Sequence, residues 1–280
     1  MAVKIIVDST VDLLEEDKNR VVTVPLTVRF GNEEYIDGVT ITHREFYEKL
    51  VSSDVLPTTS QATPDAFDKV FRQVTESGDS AVVLTLASKL SGTYQSAMIA
   101  AEEYEDVYVV DTASVAIGSG ILTQLALQLR DQGMSAAELA ATLEKQKQNV
   151  CVLALVDTLE YLKKGGRLSA AAAFAGKLMN IKPVIAIVDG EIRVVGKARG
   201  AKQGSAMLAS QIESFGGADF AKPVLLGYTG LTDAAIGQYR DEGAALWAEN
   251  AGELPYTMVD SVIGTHAGPG VVAIAFFRNP

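Results

Sequence analysis

The chain is poor in the residues that mark many kinds of chemistry. Its 280 residues include one cysteine, Cys151, and two histidines, His43 and His266. A single cysteine excludes an intrachain disulfide, and its place inside NVCVLALV (149–156) fits a small buried side chain. No H-E-x-x-H and no Cys/His grouping offers a zinc site. The phosphate loop G-x-x-x-x-G-K-[ST], a strand-linked G-x-G-x-x-G and the nucleophile elbow G-x-S-x-G are all missing. Gly118-Ser119-Gly120 comes nearest, but it falls in a helical stretch and lacks the third glycine. Positive charge is scarce: 24 basic against 35 acidic residues give a net charge of −11. Lys163-Lys164 and the scattered Lys197, Arg199 and Lys202 make no strong patch, so nucleic acid is not an expected partner. Nowhere do about 18 apolar residues run together, and MAVKIIVDST enters a strand without the apolar core of a signal peptide. The expectation is a soluble, cytoplasmic protein with no metal or cofactor.

What is present is a large apolar fraction, 48%, enough for one large domain or two ordinary ones. In the first half, apolar runs alternate with helix signals. VKIIVD (3–8), SAVVLTLAS (80–88), DVYVVDT (106–112) and VCVLALV (150–156) read as buried strands. VVTVPLTVRF (21–30) reads as one more, made irregular or placed at an edge by Pro25. Thr42 with Glu45, and Ser135 with Glu138, form capping boxes; Thr63 followed by Pro64 opens another helix. SVAIGSGILTQLALQLRDQG (114–133) predicts a long apolar helix. The alternation predicts an α/β domain over 1–156, a mainly parallel sheet flanked by helices. From 157 to 280 the pattern becomes α+β with a mixed sheet. It includes a helix over SAAAAFAGKLM (169–179), a hairpin turning at Asp189-Gly190, a helix near 233–249, and final strands in YTMVDSVI (256–263) and GVVAIAFF (270–277).

Small hydroxyls collect where strands end and helices begin. Asp8-Ser9-Thr10, Thr58-Thr59-Ser60-Gln61, Ser88 with Ser91-Gly92-Thr93, and Asp111-Thr112 with Ser114 all occupy such junctions. In an open parallel sheet this is the ligand crevice, and helix N-termini there favour an anion. Each cluster alone is also what ordinary capping requires. Ser91-Gly92-Thr93 is denser than one cap needs. His43, in the first turn of a helix, is expected to be exposed. His266, in GTHAGPG, is placed on a turn between two apolar strands, where it serves either a ligand or only solvent.

The segments DSTVDL (8–13), LPTTSQATP (56–64), LASKLSGTYQSA (86–97), VVDTASVAIGSG (109–120), LEYLKKGGRLS (159–169), NIKPV (180–184) and GTHAGPG (264–270) together resemble the DegV family of bacterial fatty-acid-binding proteins. They follow the family's order across nearly the whole chain. One departure is Ala62-Thr63-Pro64, where the family often has Pro-Ser-Pro; it alters the cap and not the hydroxyls. The resemblance implies two domains with one long-chain fatty acid buried between them. It implies a carboxylate held by Thr59 or Ser60 and by Ser91, with Gly92 and Thr93 beside it and His266 over the head group. It further implies that the protein presents the acid to the ATP-binding subunit of a fatty acid kinase, feeding phospholipid synthesis, with Arg167 engaging that partner. Transient contact with a membrane is compatible with such a role. The residues alone leave two alternatives open: a small hydrolase or transferase using Ser91 as nucleophile and His266 as base, oriented by Asp8 or Asp111, or a lipid-responsive regulator.

Overall fold

The computed structural model describes residues 2–168, 181–242 and 254–279. The helix expected over 169–179 and the second half of the one expected near 233–249 lie outside them. The first sheet has the order β2-β1-β6-β7, formed by β1 (Val3–Asp8), β2 (Val22–Val24), β6 (Ser80–Thr85) and β7 (Val107–Asp111). All its pairings are parallel. Its central strand β6 is buried at every position, as continuous apolar runs require when both faces are covered. The predicted caps are made. Thr42 Oγ1 accepts from Glu45 N–H at the start of α2 (His43–Ser52), and the Glu45 carboxylate returns to the Thr42 N–H. Ser135 and Glu138 do the same for α6 (Ala136–Gln146), and Thr63 caps α3 (Pro64–Glu76).

Pro25 divides the stretch read as one strand. β2 ends at Val24, and β3 (Thr27–Phe30) leaves for a separate antiparallel sheet of order β4-β3-β5, with β4 (Glu33–Ile36) and β5 (Thr58–Ser60). That small sheet went unread in the sequence, and it carries Thr59 and Ser60.

The third sheet has six strands in the order β10-β9-β8-β13-β11-β12. They are β8 (Val150–Leu155), β9 (Ile181–Val188), β10 (Glu191–Arg199), β11 (Leu225–Tyr228), β12 (Tyr256–Met258) and β13 (Val272–Phe277). It is mixed: only β11 and β12 run parallel. The β9–β10 turn has positive φ at both Asp189 (52°) and Gly190 (75°), as a type I′ turn demands. The sequence pattern groups β8 with residues 1–156. Its ladder runs to β9 and β13 instead, both far downstream, so it is an inner strand of the second large sheet.

Helix α5 (Ile117–Asp131) lies between the two large sheets and packs on β1, β6, β8, β11 and β13. Its Gly118 and Gly120 admit close neighbours: a Cβ on Gly118 would strike the Ser114 hydroxyl and Val152, and one on Gly120 the Asp12 carbonyl oxygen. The final segment departs furthest from expectation. VDSVI is not strand; Asp260 caps a short helix, α10 (Ser261–Ala267), whose last turn carries His266. A run of only seven residues, three of them apolar, is too short to show a helical periodicity.

Candidate ligand-binding site

A cavity of about 400 Å³ opens between the six-stranded sheet, β5 of the small sheet and the loops that follow β6 and β7. Its apolar wall comes from period-2 alternation. Val152 and Ala154 of β8, Ile185 and Ile187 of β9, and Ala273 of β13 face it. The intervening Cys151, Leu153, Leu155, Val184, Ala186, Val272 and Ile274 pack into a separate core behind the sheet. The N-terminal edge of α5 and one side of α10 complete the wall with Ile117, Val262 and Ile263.

The polar part of the lining gathers the predicted residues. Thr59 and Ser60 arrive on β5, with Gln61 following; Ser91 and Gly92 arrive at the start of α4 (Thr93–Ala101), and His266 on α10. Thr59 Oγ1 and His266 Nε2 are hydrogen-bonded at 3.0 Å, joining positions far apart in the chain. The Ser91 hydroxyl lies 3.0 Å from that of Thr93. Thr93 itself is fully buried behind Ser91 and is absent from the lining. Gly92 is the N-cap of α4, and a Cβ there would meet the Gln61 side-chain amide, which donates to Ser96 Oγ at 2.9 Å.

Arg167 was read as a partner-facing residue. Its side chain folds inward and lines the cavity, with Nε donating to Leu90 O (3.1 Å) and Nη1 to Gly165 O (2.6 Å). The site therefore holds a fixed cation as well as neutral donors. Gln61 and Thr229 also line it. Gln61 belongs to the junction cluster read from the sequence but is not among the head-group residues that the resemblance implies; nothing local marks Thr229.

Burial, and then the positive charge of Arg167, push His266 down from 6.5 to about 4, so its ring is neutral at neutral pH. Nδ1 is buried with no partner. His43, expected on the surface, is half-buried 3.9 Å from Asp37, and desolvation lowers it too. A nucleophile–base pair is not assembled. Ser91 is bonded to Thr93, His266 to Thr59, and among the described residues no carboxylate orients the second imidazole nitrogen. Asp8 is engaged by Thr10 and the Leu86 N–H, and Asp111 by the Ser88 and Ala113 N–H groups. The arrangement suits retention of a molecule with one anionic or polar end and a long apolar body. Among the described residues no group of His, Cys, Asp and Glu is placed to hold a metal ion.

Comparison with known proteins agrees over the whole length. A DegV domain-containing protein of Caldanaerobacter subterraneus is 33% identical over 280 residues, covering 98% of both chains. A DegV family protein from Thermus thermophilus, solved as a fatty-acid-binding structure, superposes with a TM-score of 0.88 at 32% identity over 100% of both chains. A stearic acid-binding protein from Eubacterium ventriosum superposes at 0.87, with 27% identity over 99% of this chain and 98% of its own. The family model described as "Uncharacterised protein, DegV family" matches residues 2–279, and the chain belongs to the DegV family.

Proposed function

We propose that the protein binds one long-chain fatty acid, its carboxylate among Thr59, Ser60, Ser91, Gly92 and His266 and its tail along the β8–β9–β13 face. The observation that carries this reading is the cavity's asymmetry: a cluster of polar groups with, among the described residues, one cation, followed by a wall of Val, Ala and Ile. A buried carboxylate needs its hydrogen bonds satisfied, and hydroxyls, a neutral imidazole and Arg167 supply donors for that. Burying about twelve methylenes contributes roughly 10 kcal/mol before ordering costs, enough for slow release. The fatty acids held by the Thermus and Eubacterium relatives support the same ligand class.

The protein acts as a carrier and not a catalyst. It offers the acid to the ATP-binding subunit of a fatty acid kinase, and the resulting acyl phosphate feeds phospholipid synthesis. This part rests on the family resemblance, and Arg167 then serves the partner by fixing the acid's head group. The six-stranded sheet, β8 included, supplies the apolar side of the site, and β5 with the loops after β6 and β7 supplies the side facing it. No helix among the described residues is long and apolar enough to cross a membrane, and the cytoplasm is where such a carrier works. Mass spectrometry of the purified protein, native and then denatured and extracted, tests the ligand. One C14–C18 acid per chain is expected; a chain that is empty and takes up neither oleate nor palmitate would overturn the reading.

A further inference from the structure

Helix α10 is too short to be stable alone, and its position decides where His266 sits. Its N-terminus is held in an unusual way. The backbone N–H groups from Asp260 to Ile263, which no intrahelical carbonyl can serve, all go to aspartate side chains. Asp260 N–H donates to Asp12 Oδ1 (2.9 Å) and Ser261 N–H to Asp37 Oδ1 (3.3 Å). Val262 and Ile263 donate to Asp260 Oδ1 (2.7 and 2.9 Å). Asp12 follows β1, Asp37 follows β4, and Asp260 is the helix's own cap, so three distant segments converge. The three carboxylates are 4%, 2% and 0% exposed. Among the described residues the second oxygen of each has no hydrogen-bond partner.

Capping alone does not require this. Asp260 already serves two N–H groups, and an exposed helix start would leave the others to water. Burying two further carboxylates is costly. Burial pushes Asp12, Asp37 and Asp260 upward, with mutual repulsion adding at Asp12 and Asp260. The same helix is seated from the side by Tyr47, whose hydroxyl donates to Val259 O (3.0 Å) and lies where a Cβ on Gly264 would fall. At the other end His266 meets Thr59. β5, which carries Thr59, is paired to β3 and so to β4, from which Asp37 follows. Helix and receiving strand are thus referenced to one small sheet.

We propose that Asp12 and Asp37 are positioning residues of the head-group site: by holding the first turn of α10 they set His266 against Thr59 and slow the release of the bound acid. The proposal rests on the fatty-acid reading for its effect on release, though not for its effect on His266. Neither aspartate lines the cavity, so each acts through the helix.

The test uses the full chain with ¹⁵N-labelled histidine; the two histidines are told apart by a His43→Gln variant. Asp12→Ala and Asp37→Ala remove the acceptor, whereas Asp12→Asn and Asp37→Asn keep an oxygen in its place. Leu208→Ala, in the separate core behind the six-stranded sheet, controls for general destabilisation. Well below each melting midpoint, the alanine variants are expected to shift the His266 ring signals and speed oleate release about tenfold. The asparagine variants should restore both to within about twofold, and Leu208→Ala should leave both unchanged. Should an alanine variant not fold, Asp12→Ser and Asp37→Ser, with a shortened acceptor, are read in the same way. His266 signals and release rates that match wild type, or that move no more than in Leu208→Ala, overturn the proposal. Wild-type protein that takes up no oleate would overturn the functional reading instead, and the His266 signals would still decide the positioning role.

Discussion

The two ends of α10 lie in opposite electrostatic surroundings and reach the same result. At its N-terminus, burial drives the carboxyls of Asp12, Asp37 and Asp260 upward; at its C-terminus, burial and Arg167 drive the imidazole of His266 downward. Desolvation disfavours charge whatever its sign. The difference lies in what each end can still accept. The N-terminal end has its backbone donors fully used by acids. The C-terminal end keeps a fixed guanidinium and a neutral ring beside an open cavity. An anion therefore has one end of this helix to go to.

The largest way to break the contrast acts on the acidic end. In Gly120→Ala the new Cβ meets a backbone atom, the Asp12 carbonyl oxygen, which cannot swing aside. A loss of about 2–3 kcal/mol is expected despite alanine's better helix propensity. Urea denaturation checks it, and wild-type stability would mean the Asp12 loop yields easily. Next comes Arg167→Ala, which strips the cation from the other end. Loss of a charge-assisted contact of about 1.5–3 kcal/mol predicts roughly 10–100-fold weaker retention of palmitate, read by competition with a fluorescent fatty acid. The His266 midpoint should rise from about 4, because the neighbouring positive charge is gone. Ser91→Ala removes one neutral donor and should cost about 1 kcal/mol, roughly fivefold in retention. Unchanged occupancy in that variant would remove Ser91 from the head-group site.

The smallest effect is one of pH. His266 is depressed in the fold, so its share of stability is full above 6.5 and is lost as pH falls toward about 4. Asp8 is raised to about 6 by burial, so its share is present below 3.8 and is lost as pH rises toward about 6. The two slopes oppose each other across nearly the same window. His266→Gln removes the first. Its stability relative to wild type should improve steadily from pH 6.5 down to 4 in chemical denaturation, and a constant difference would contradict the depressed histidine.

Much of this architecture is legible in local chemistry. Thr42, Thr63 and Ser135 announced their helices because a cap is a contact between near neighbours. β1, β6 and β7 were apolar enough to read as strands covered on both faces. What stayed hidden depends on distant partners. The sheet that β8 joins is decided by β9 and β13, and the inward fold of Arg167 by the carbonyls of Leu90 and Gly165. Thr59, Ser91 and His266 could be nominated from residue type and family resemblance. That Thr59 meets His266 while Thr93 sits behind Ser91 is a matter of packing, and no spacing encodes it.

The alternation along β8, β9 and β13 has an evolutionary consequence. Each strand presents one set of side chains to the cavity and the next set to a separate core. Ala154 and Ala273 are small residues on the cavity face, so exchanging either for a larger side chain shortens the space available to a tail. The core behind the sheet keeps its own residues through such a change. Under the proposed fatty-acid reading, a lineage can thus retune the length of tail the cavity accepts, one position at a time, while the fold stays as it is.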